Sequence, residues 1–113
     1  MKLYLPIPPS SNMLFRTTKG KRYKTSKYTL WLSEAMNFLD NQNIITYGLK
    51  FIDIELYVPR LRSNSDIDNR IKPVLDLLVK YGILCDDKFV RSVYAEWLPK
   101  NEDCYVLLKG NKC

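Results

Sequence analysis

The stretch LKFIDIELYV, residues 49–58, decides the fold because its apolar and polar residues alternate. Asp53 and Glu55 fall on one side of an extended chain at this position. The apolar residues of the other side are Ile52, Ile54, Leu56 and Val58. Successive side chains of a strand point to opposite faces of its sheet. The pattern therefore predicts a strand with one face in the core and the other in water.

The chain after this strand predicts a polar loop and then a helix. Pro59 ends the alternation, and the stretch SDIDNRIKPVLDLL follows at residues 65–78. We expect a helix over residues 69–80, ended by Gly82, because apolar residues recur on one helical face. Pro73 falls in or close to its first turn, where a missing N–H costs least. The inward residues are Ile71, Val74, Leu75 and Leu78.

The remaining elements complete a small α/β domain. Residues 2–7 predict a short strand, and residues 26–41 predict a helix that Ser26 caps. Residues 89–97 and 104–109 predict two more strands, joined as a hairpin. The order β-α-β-α-β-β favours a small mixed sheet with the helices packed on one face. We expect residues 1–113 to form this single domain.

Composition excludes several classes of chemistry. The chain has 113 residues, 46% hydrophobic and 27% charged, as in soluble single domains. It contains no histidine, which removes a histidine base, a Ser-His-Asp triad, a Cys-His pair and histidine zinc sites. Any catalysis must therefore use carboxylates, lysines and hard metal ions.

The amino terminus and the cysteines indicate the compartment. Three prolines interrupt the stretch MKLYLPIPPS, so we expect neither a signal peptide nor a membrane span. Cys85, Cys104 and Cys113 show no CxxC spacing and predict reduced thiols. We therefore predict a cytoplasmic protein that does not associate with membranes.

Positive charge is concentrated in two segments. Lysines and arginines number 18 against 12 acids, a net charge of +6. One early segment carries Arg16, Lys19, Lys21, Arg22, Lys24 and Lys27. It predicts a flexible basic loop, which is either a solvated surface or a contact for a polyanion. With the loop after residue 59, the candidate DNA-binding residues are Lys19, Lys21, Arg22, Lys24, Arg60 and Arg62.

Acidic residues flank the second predicted helix. Asp66 and Asp68 fall on the same side of an extended chain, and Lys72 lies four residues beyond Asp68. The stretch CDDKFV, residues 85–90, adds Asp86 and Asp87. A helix cap, a surface ion pair and a turn would explain these residues separately.

A cluster of carboxylates, however, needs a cation to neutralise it, and oxygen ligands suit Mg²⁺. A calcium EF-hand fits poorly, because Ile71 stands where glycine is needed and Leu77 where glutamate is needed. A basic surface beside a metal site favours phosphodiester cleavage, in which the metal activates water and Lys72 orients that water or stabilises charge.

Three motifs resemble the RusA-type Holliday junction resolvases, small endonucleases of bacteria and their phages. The motifs are PIPPSSN at 6–12, DIDNRIK at 66–72 and ILCDDKFV at 83–90, in family-like order and spacing. The resemblance implies a homodimeric nuclease, dependent on Mg²⁺ with Mn²⁺ as an alternative, that nicks two opposed strands of a DNA four-way junction. It implies catalytic and metal-binding roles for Asp66, Asp68 and Asp87, with Lys72 as their basic partner. Asn69 and Asp86 match the motifs in supporting roles.

The position of Asp87 leaves two arrangements open. A helix of about 12 residues is about 18 Å long, so Asp87 starts at the end opposite Asp66. Residues 81–86 can run back about 20 Å when nearly extended, which would unite the acids within one chain. The alternative is that Asp87 comes from the second protomer of a dimer, whose two-fold symmetry would match that of the junction.

Three other interpretations compete with this one. Asp86 and Lys88 resemble half of a restriction-enzyme-like site, but no Pro-Asp pair precedes them. The chain is alternatively a nucleic-acid-binding module without catalysis, in which the acids only cap and pair. The last alternative is a structural or interaction protein whose partner contacts are Tyr23, Tyr28 and Tyr47.

Overall fold

A computed structural model describes residues 1–62 and 65–112. In chain order the elements are β1 (Lys2–Tyr4), β2 (Phe15–Thr18), β3 (Lys21–Lys24), α1 (Ser26–Asp40), β4 (Leu49–Pro59), α2 (Ile71–Tyr81), β5 (Val90–Leu98) and β6 (Tyr105–Lys112). Short 3₁₀ turns precede β2, α2 and β5, at Ser11–Met13, Ile67–Arg70 and Asp87–Phe89.

The main sheet has four strands in the order β1-β6-β4-β5. β4 pairs with β5 in parallel and with β6 antiparallel, so the predicted mixed sheet is confirmed. The predicted hairpin of β5 and β6 is wrong, because β4 lies between them. A parallel pair needs a crossover connection, and α2 supplies it between β4 and β5. The alternation within each strand carries no information about this pairing.

One face of β4 lies in the core, as its sequence predicts. Ile52, Ile54, Leu56 and Val58 are buried, whereas Asp53, Glu55 and Tyr57 alternate with them and are half-exposed. Both helices contribute buried residues to the same core: Tyr28, Trp31, Leu32, Ala35 and Leu39 from α1, and Pro73, Val74, Leu77 and Leu78 from α2. The helices therefore cover one face of the sheet.

The helix ends follow local rules with one correction. α2 ends at Gly82, whose φ of 94° is left-handed and whose N–H bonds to the Val79 carbonyl at 3.1 Å. Pro73 is the third residue of α2 and lies in its first turn, as predicted. The cap of α1 is Thr25, not Ser26: the Thr25 hydroxyl accepts the Tyr28 N–H at 3.2 Å. Ser26 is the first helical residue, so the predicted cap was displaced by one position.

The early basic segment is a β-hairpin rather than the predicted flexible loop. β2 and β3 pair antiparallel, and Lys19 and Gly20 connect them with φ values of 52° and 75°. Two consecutive positive φ values are typical of a type I′ turn, which matches the twist of a hairpin. The Arg22 guanidinium stacks on the Phe15 ring at 3.7 Å. The sequence conceals this hairpin because both of its strands are mostly polar and exposed.

A β-bulge interrupts the pairing of β4 with β6, which continues on both sides of it. The register shifts between Lys50 and Asp53, and Phe51 adopts a φ of 56°. Gly110 of β6 lies opposite this bulge, and a Cβ atom there would overlap the Ile52 side chain. Gly110 is therefore required by close packing, since its position has no room for a side chain.

The described cysteines are free thiols, in agreement with the prediction. Cys85 is exposed and Cys104 is buried, and burial raises the pKa of the Cys104 thiol to about 12. Cys113 lies outside the described residues. Within residues 1–62 and 65–112, no helix has the length and apolar character needed to cross a bilayer.

We predict a pH-dependent contribution from Asp53, which joins β4 to β5. Its carboxylate accepts bonds from the Arg91 guanidinium and, at 2.6 Å, from the Ser92 hydroxyl, and these bonds lower its pKa to about 2. Because the folded pKa lies below the unfolded value of about 3.9, the stabilisation is present above pH ~4 and is lost toward pH ~2. Urea unfolding should show the wild type more stable than Asp53→Asn at pH 7, with the difference shrinking between pH ~4 and ~2.

Arg91→Gln removes the same ion pair from the other side and should reproduce this pH profile. An unchanged difference between wild type and Asp53→Asn at pH 7 and pH 2 would contradict the prediction.

Candidate functional site

Asp66 and Asp68 are exposed at the turn that begins α2. Asp66 directly precedes the 3₁₀ turn Ile67–Arg70 in an extended conformation, and Asp68 is the second residue of that turn. The Asp66 carboxylate makes no capping hydrogen bond, although it occupies the capping position. The simplest structural explanation of Asp66, a helix cap, is therefore not realised. Its oxygen atoms are accessible to an external ligand.

The first motif anchors this acidic turn. The Ser11 hydroxyl donates to the Asn69 side-chain oxygen at 2.9 Å. Arg70 reaches the same segment, since its Nη1 donates to the Pro8 carbonyl at 2.6 Å. These two hydrogen bonds join the PIPPSSN segment to the DIDN turn, although the bonded residues are 58 and 62 positions apart in the chain. Asn69 therefore links the DIDN turn to the first motif, and its supporting role in the site remains a prediction.

A cavity of about 580 Å³ opens between these two segments. Asp66 borders it together with Arg62 and Arg70. The remaining wall is formed by Ile7, Pro8, Pro9, Ser10, Asn12, Met13, Lys27, Trp31, Pro59, Leu61, Ser65, Asn69 and Trp97. A carboxylate and several cations therefore share one concave surface.

Lys72 is held by an acid that the sequence analysis did not identify. Its Nζ donates to Asp76 at 2.8 Å, while the second oxygen of Asp76 accepts the Tyr28 hydroxyl at 3.0 Å. Burial, followed by the charge of Asp76, raises the pKa of Tyr28 above its ordinary value. The spacing of Lys72 and Asp76 by four residues could have revealed this pair. The sequence analysis paired Lys72 with Asp68, which lies four residues before Lys72, whereas Asp76 lies four residues after it.

Asp86 directly precedes the 3₁₀ turn Asp87–Phe89, which contacts α2. The Asp86 carboxylate accepts the Lys88 N–H at 3.1 Å, and this bond, followed by one from Asp87, lowers the pKa of Asp86. Both acids border a second cavity, of about 320 Å³, together with Asp76. Val79 and Lys80, near the carboxyl end of α2, border the same cavity. The other residues of this cavity are Phe15, Lys24, Tyr28, Leu32, Val79 and Lys80.

The carboxylates do not form one compact group within a single chain. In the part of the chain that the structure describes, no three acidic or cysteine side chains are placed to hold a metal ion together. Asp66 borders the first cavity and Asp87 the second. The roles of Asp66, Asp68 and Asp87 as metal ligands remain predictions, and so does the choice between one chain and two for Asp87.

Two of the six predicted basic residues border the cavities. Lys19, Lys21, Arg22 and Lys24 are exposed on the β2–β3 hairpin, and Lys24 borders the Asp87 cavity. Arg62 borders the Asp66 cavity, and the Arg60 guanidinium lies 5.5 Å from the Trp97 ring centre. These positions allow a polyanion to approach the acids, but contact with DNA remains a prediction for all six residues.

One competing interpretation loses part of its basis. Tyr28, expected as an exposed partner contact, is only 2% exposed and packs in the core. Tyr23 and Tyr47 are exposed. The two residues of the restriction-enzyme-like half-site, Asp86 and Lys88, also have contacts of their own. The Lys88 Nζ lies 5.2 Å from the Phe89 ring centre, and the Asp86 carboxylate accepts the Lys88 backbone N–H.

Comparison with known proteins identifies the family. A sequence profile described as Endodeoxyribonuclease RusA matches residues 6–107, which include all three motifs. The chain belongs to the RusA family. A RusA relative from Aquifex aeolicus, named Crossover junction endodeoxyribonuclease RusA, is 33% identical over 94 residues, covering 80% of this chain and 72% of the relative. Relatives of the same name from Escherichia coli are 30% identical, over 76% of this chain and 72% of the relative for strain E24377A. For strain K12 the match covers 74% of this chain and 70% of the relative.

We predict that Asp76 stabilises the RusA-family fold by accepting the buried Tyr28 hydroxyl. Asp76→Ala should reduce the free energy of unfolding by about 1–3 kcal/mol, because that hydroxyl is left without its acceptor. Tyr28→Phe should cost about 1 kcal/mol, and the double variant should lose less than the sum of the two. Urea unfolding of the four proteins measures this coupling.

Lys72→Gln is the control, since an exposed ion pair contributes roughly 0–1 kcal/mol. Additive losses in the Asp76→Ala and Tyr28→Phe cycle would show that this hydrogen bond contributes nothing.

Proposed function

We propose that this chain is an endodeoxyribonuclease that resolves Holliday junctions by paired nicks in opposed strands. Its relatives carry the name crossover junction endodeoxyribonuclease and align over most of the chain. The observation that carries the proposal is the state of the DIDN turn. Asp66 and Asp68 are exposed, Asp66 makes no capping bond, and the PIPPSSN segment anchors the turn beneath them.

The donor set fits a hard divalent cation. The candidate ligands Asp66, Asp68 and Asp87 supply only carboxylate oxygen atoms, and the chain has no histidine. Such ligands suit Mg²⁺, with Mn²⁺ as an alternative. When bound, the metal ion would lower the pKa of an attacking water and offset charge on the phosphate.

Lys72 and Asp76 form the second part of the proposed machinery. Lys72 is half-exposed in the first turn of α2, so its ammonium group can reach a phosphate near the DIDN turn. Asp76 accepts from Lys72 and from the buried Tyr28, which restricts where that ammonium group lies. We assign Lys72 the stabilisation of developing negative charge, and we assign Asp76 the positioning of Lys72.

The proposed substrate and assembly follow from symmetry. A four-way junction offers two equivalent scissile phosphates, and a homodimer would place one site at each. The basic hairpin and Arg60 and Arg62 would contact the DNA backbone around the acids. We place this reaction in the cytoplasm, where Cys85 and Cys104 would stay reduced.

We predict that Asp68→Asn separates cleavage from binding. Mg²⁺-dependent cutting of a labelled four-way junction should fall at least about 100-fold, because a proposed metal ligand is lost. Junction binding in EDTA should be retained or strengthened, because a negative charge beside the phosphates is removed. Single-turnover cleavage and electrophoretic binding assays measure the two effects.

Asp53→Asn is the matched control and should cut like the wild type, since Asp53 pairs with Arg91 on the water-facing side of the sheet. A non-catalytic binding module predicts binding in EDTA and no cutting by the wild type in Mg²⁺. Loss of folding in Asp68→Asn would instead indicate a structural role for this acid.

A mixing experiment decides how Asp87 takes part. Asp68→Asn and Asp87→Asn proteins, each inactive alone, would be combined, unfolded and refolded together to exchange protomers. Recovered cleavage would assign Asp87 to the partner protomer's site. Continued inactivity of verified mixed dimers would assign all three acids to one chain.

A further inference from the structure

Arg70 is a partly desolvated cation, and no acid among the described residues pairs with it. Its Nη1 donates to the Pro8 carbonyl, but its Nε is buried and makes no hydrogen bond. No ion pair among the described residues includes Arg70. A positive charge in this state is stabilised by an incoming anion more strongly than a fully hydrated one is.

The surroundings of Arg70 indicate what kind of anion fits. Arg62 and Arg70 border the same cavity, whose volume of about 580 Å³ lies within the range of small-molecule sites. Trp97 forms part of the wall, and Trp31 is fixed there because its Nε1 donates to the Pro6 carbonyl at 3.1 Å. Two guanidinium groups and an aromatic wall match a ligand that has both a phosphate and a flat ring.

We propose that this cavity binds one nucleotide of a DNA strand. Its phosphate lies against the guanidinium groups of Arg62 and Arg70, and its base lies against Trp97. This proposal rests on the proposed nuclease function and deepens it, because Asp66 borders the same cavity. The bound nucleotide is thereby next to the candidate metal site and fixes the strand relative to it. Unpaired or extruded bases near a junction are the nucleotides that can enter.

A purely structural role for Arg70 explains less. Its bond to the Pro8 carbonyl joins the two motif segments, but this uses only Nη1. It leaves unexplained why Arg62 borders the same cavity as Arg70. Like charges beside an open cavity cost free energy unless an anion binds between them.

The two tryptophans make the proposal directly testable. The chain contains only two, and both border this cavity, so tryptophan fluorescence reports on its occupancy. The wild-type protein would be titrated with deoxythymidine 3′,5′-bisphosphate in EDTA at low salt. We expect a saturable fluorescence change. Thymidine, which has the base without phosphate, should produce none at equal concentration.

Charge-removing variants locate the binding site. Arg70→Gln and Arg62→Gln should each weaken the apparent affinity by about 10-fold or more, as expected for a lost charge-assisted bond. Lys109→Gln is the matched control: it removes one positive charge beside Glu55 on the water-facing side of the sheet and should titrate like the wild type. Arg62 is exposed, so its variant remains informative if Arg70→Gln does not fold.

The outcomes separate this proposal from the nuclease function. No saturable change with the wild type, or equal affinity in Arg62→Gln and the wild type, overturns the nucleotide site even if junctions are cut. Nucleotide binding that depends on Arg62 in a protein that cuts no junction supports the site and overturns only the proposed function.

Discussion

The burial of one face of β4 is the constraint on which the rest of the structure depends. Ile52, Ile54, Leu56 and Val58 must leave water together, and both helices cover them. Because β4 also pairs along both edges, it fixes the positions of β5 and β6. At the bulge, the burial of Ile52 also restricts β6. The β6 backbone passes so close to the Ile52 side chain that position 110 must be glycine.

The acidic residues of the candidate site lie in the connections between β4, α2 and β5. The DIDN turn lies between β4 and α2, and the Asp86–Asp87 pair lies between α2 and β5. Both pairs of acids therefore belong to the two connections of one β-α-β unit. Carboxylates brought close together repel one another, and a bound cation offsets this repulsion. Lys72 and Asp76 belong to the helix that separates the two acidic pairs along the chain.

The parts of the fold that local patterns determine could be predicted from the sequence. The alternation of β4, the left-handed Gly82 and the tolerated Pro73 each depend on nearby residues only. The pairing of β5 with β4, rather than with β6 as predicted, depends on contacts between strands that are distant in the sequence. The residues of one strand alone do not determine this pairing. The β2–β3 hairpin escaped prediction because exposed charged strands lack the apolar alternation that identifies a strand.

The candidate site divides in the same way. Asp66, Asp68, Asp87 and Lys72 stand in short motifs and were identified from them. Asp76 and Arg70 were missed because their significance comes from contacts with distant residues: the Tyr28 hydroxyl for Asp76, and the Pro8 carbonyl for Arg70. Desolvation and unmet hydrogen bonds become visible only in three dimensions.

The type I′ turn at Lys19 and Gly20 has a consequence for how this fold can diversify. Each hairpin strand can gain or lose residues in matched pairs without changing the turn, because the strands are joined only at that tip. Two residues added to each strand lengthen the hairpin by roughly 7 Å. Such length changes would set how far the lysines of the hairpin extend from the rest of the domain while the hydrophobic interior stays the same. The length of the β2–β3 hairpin can therefore vary independently of the hydrophobic core.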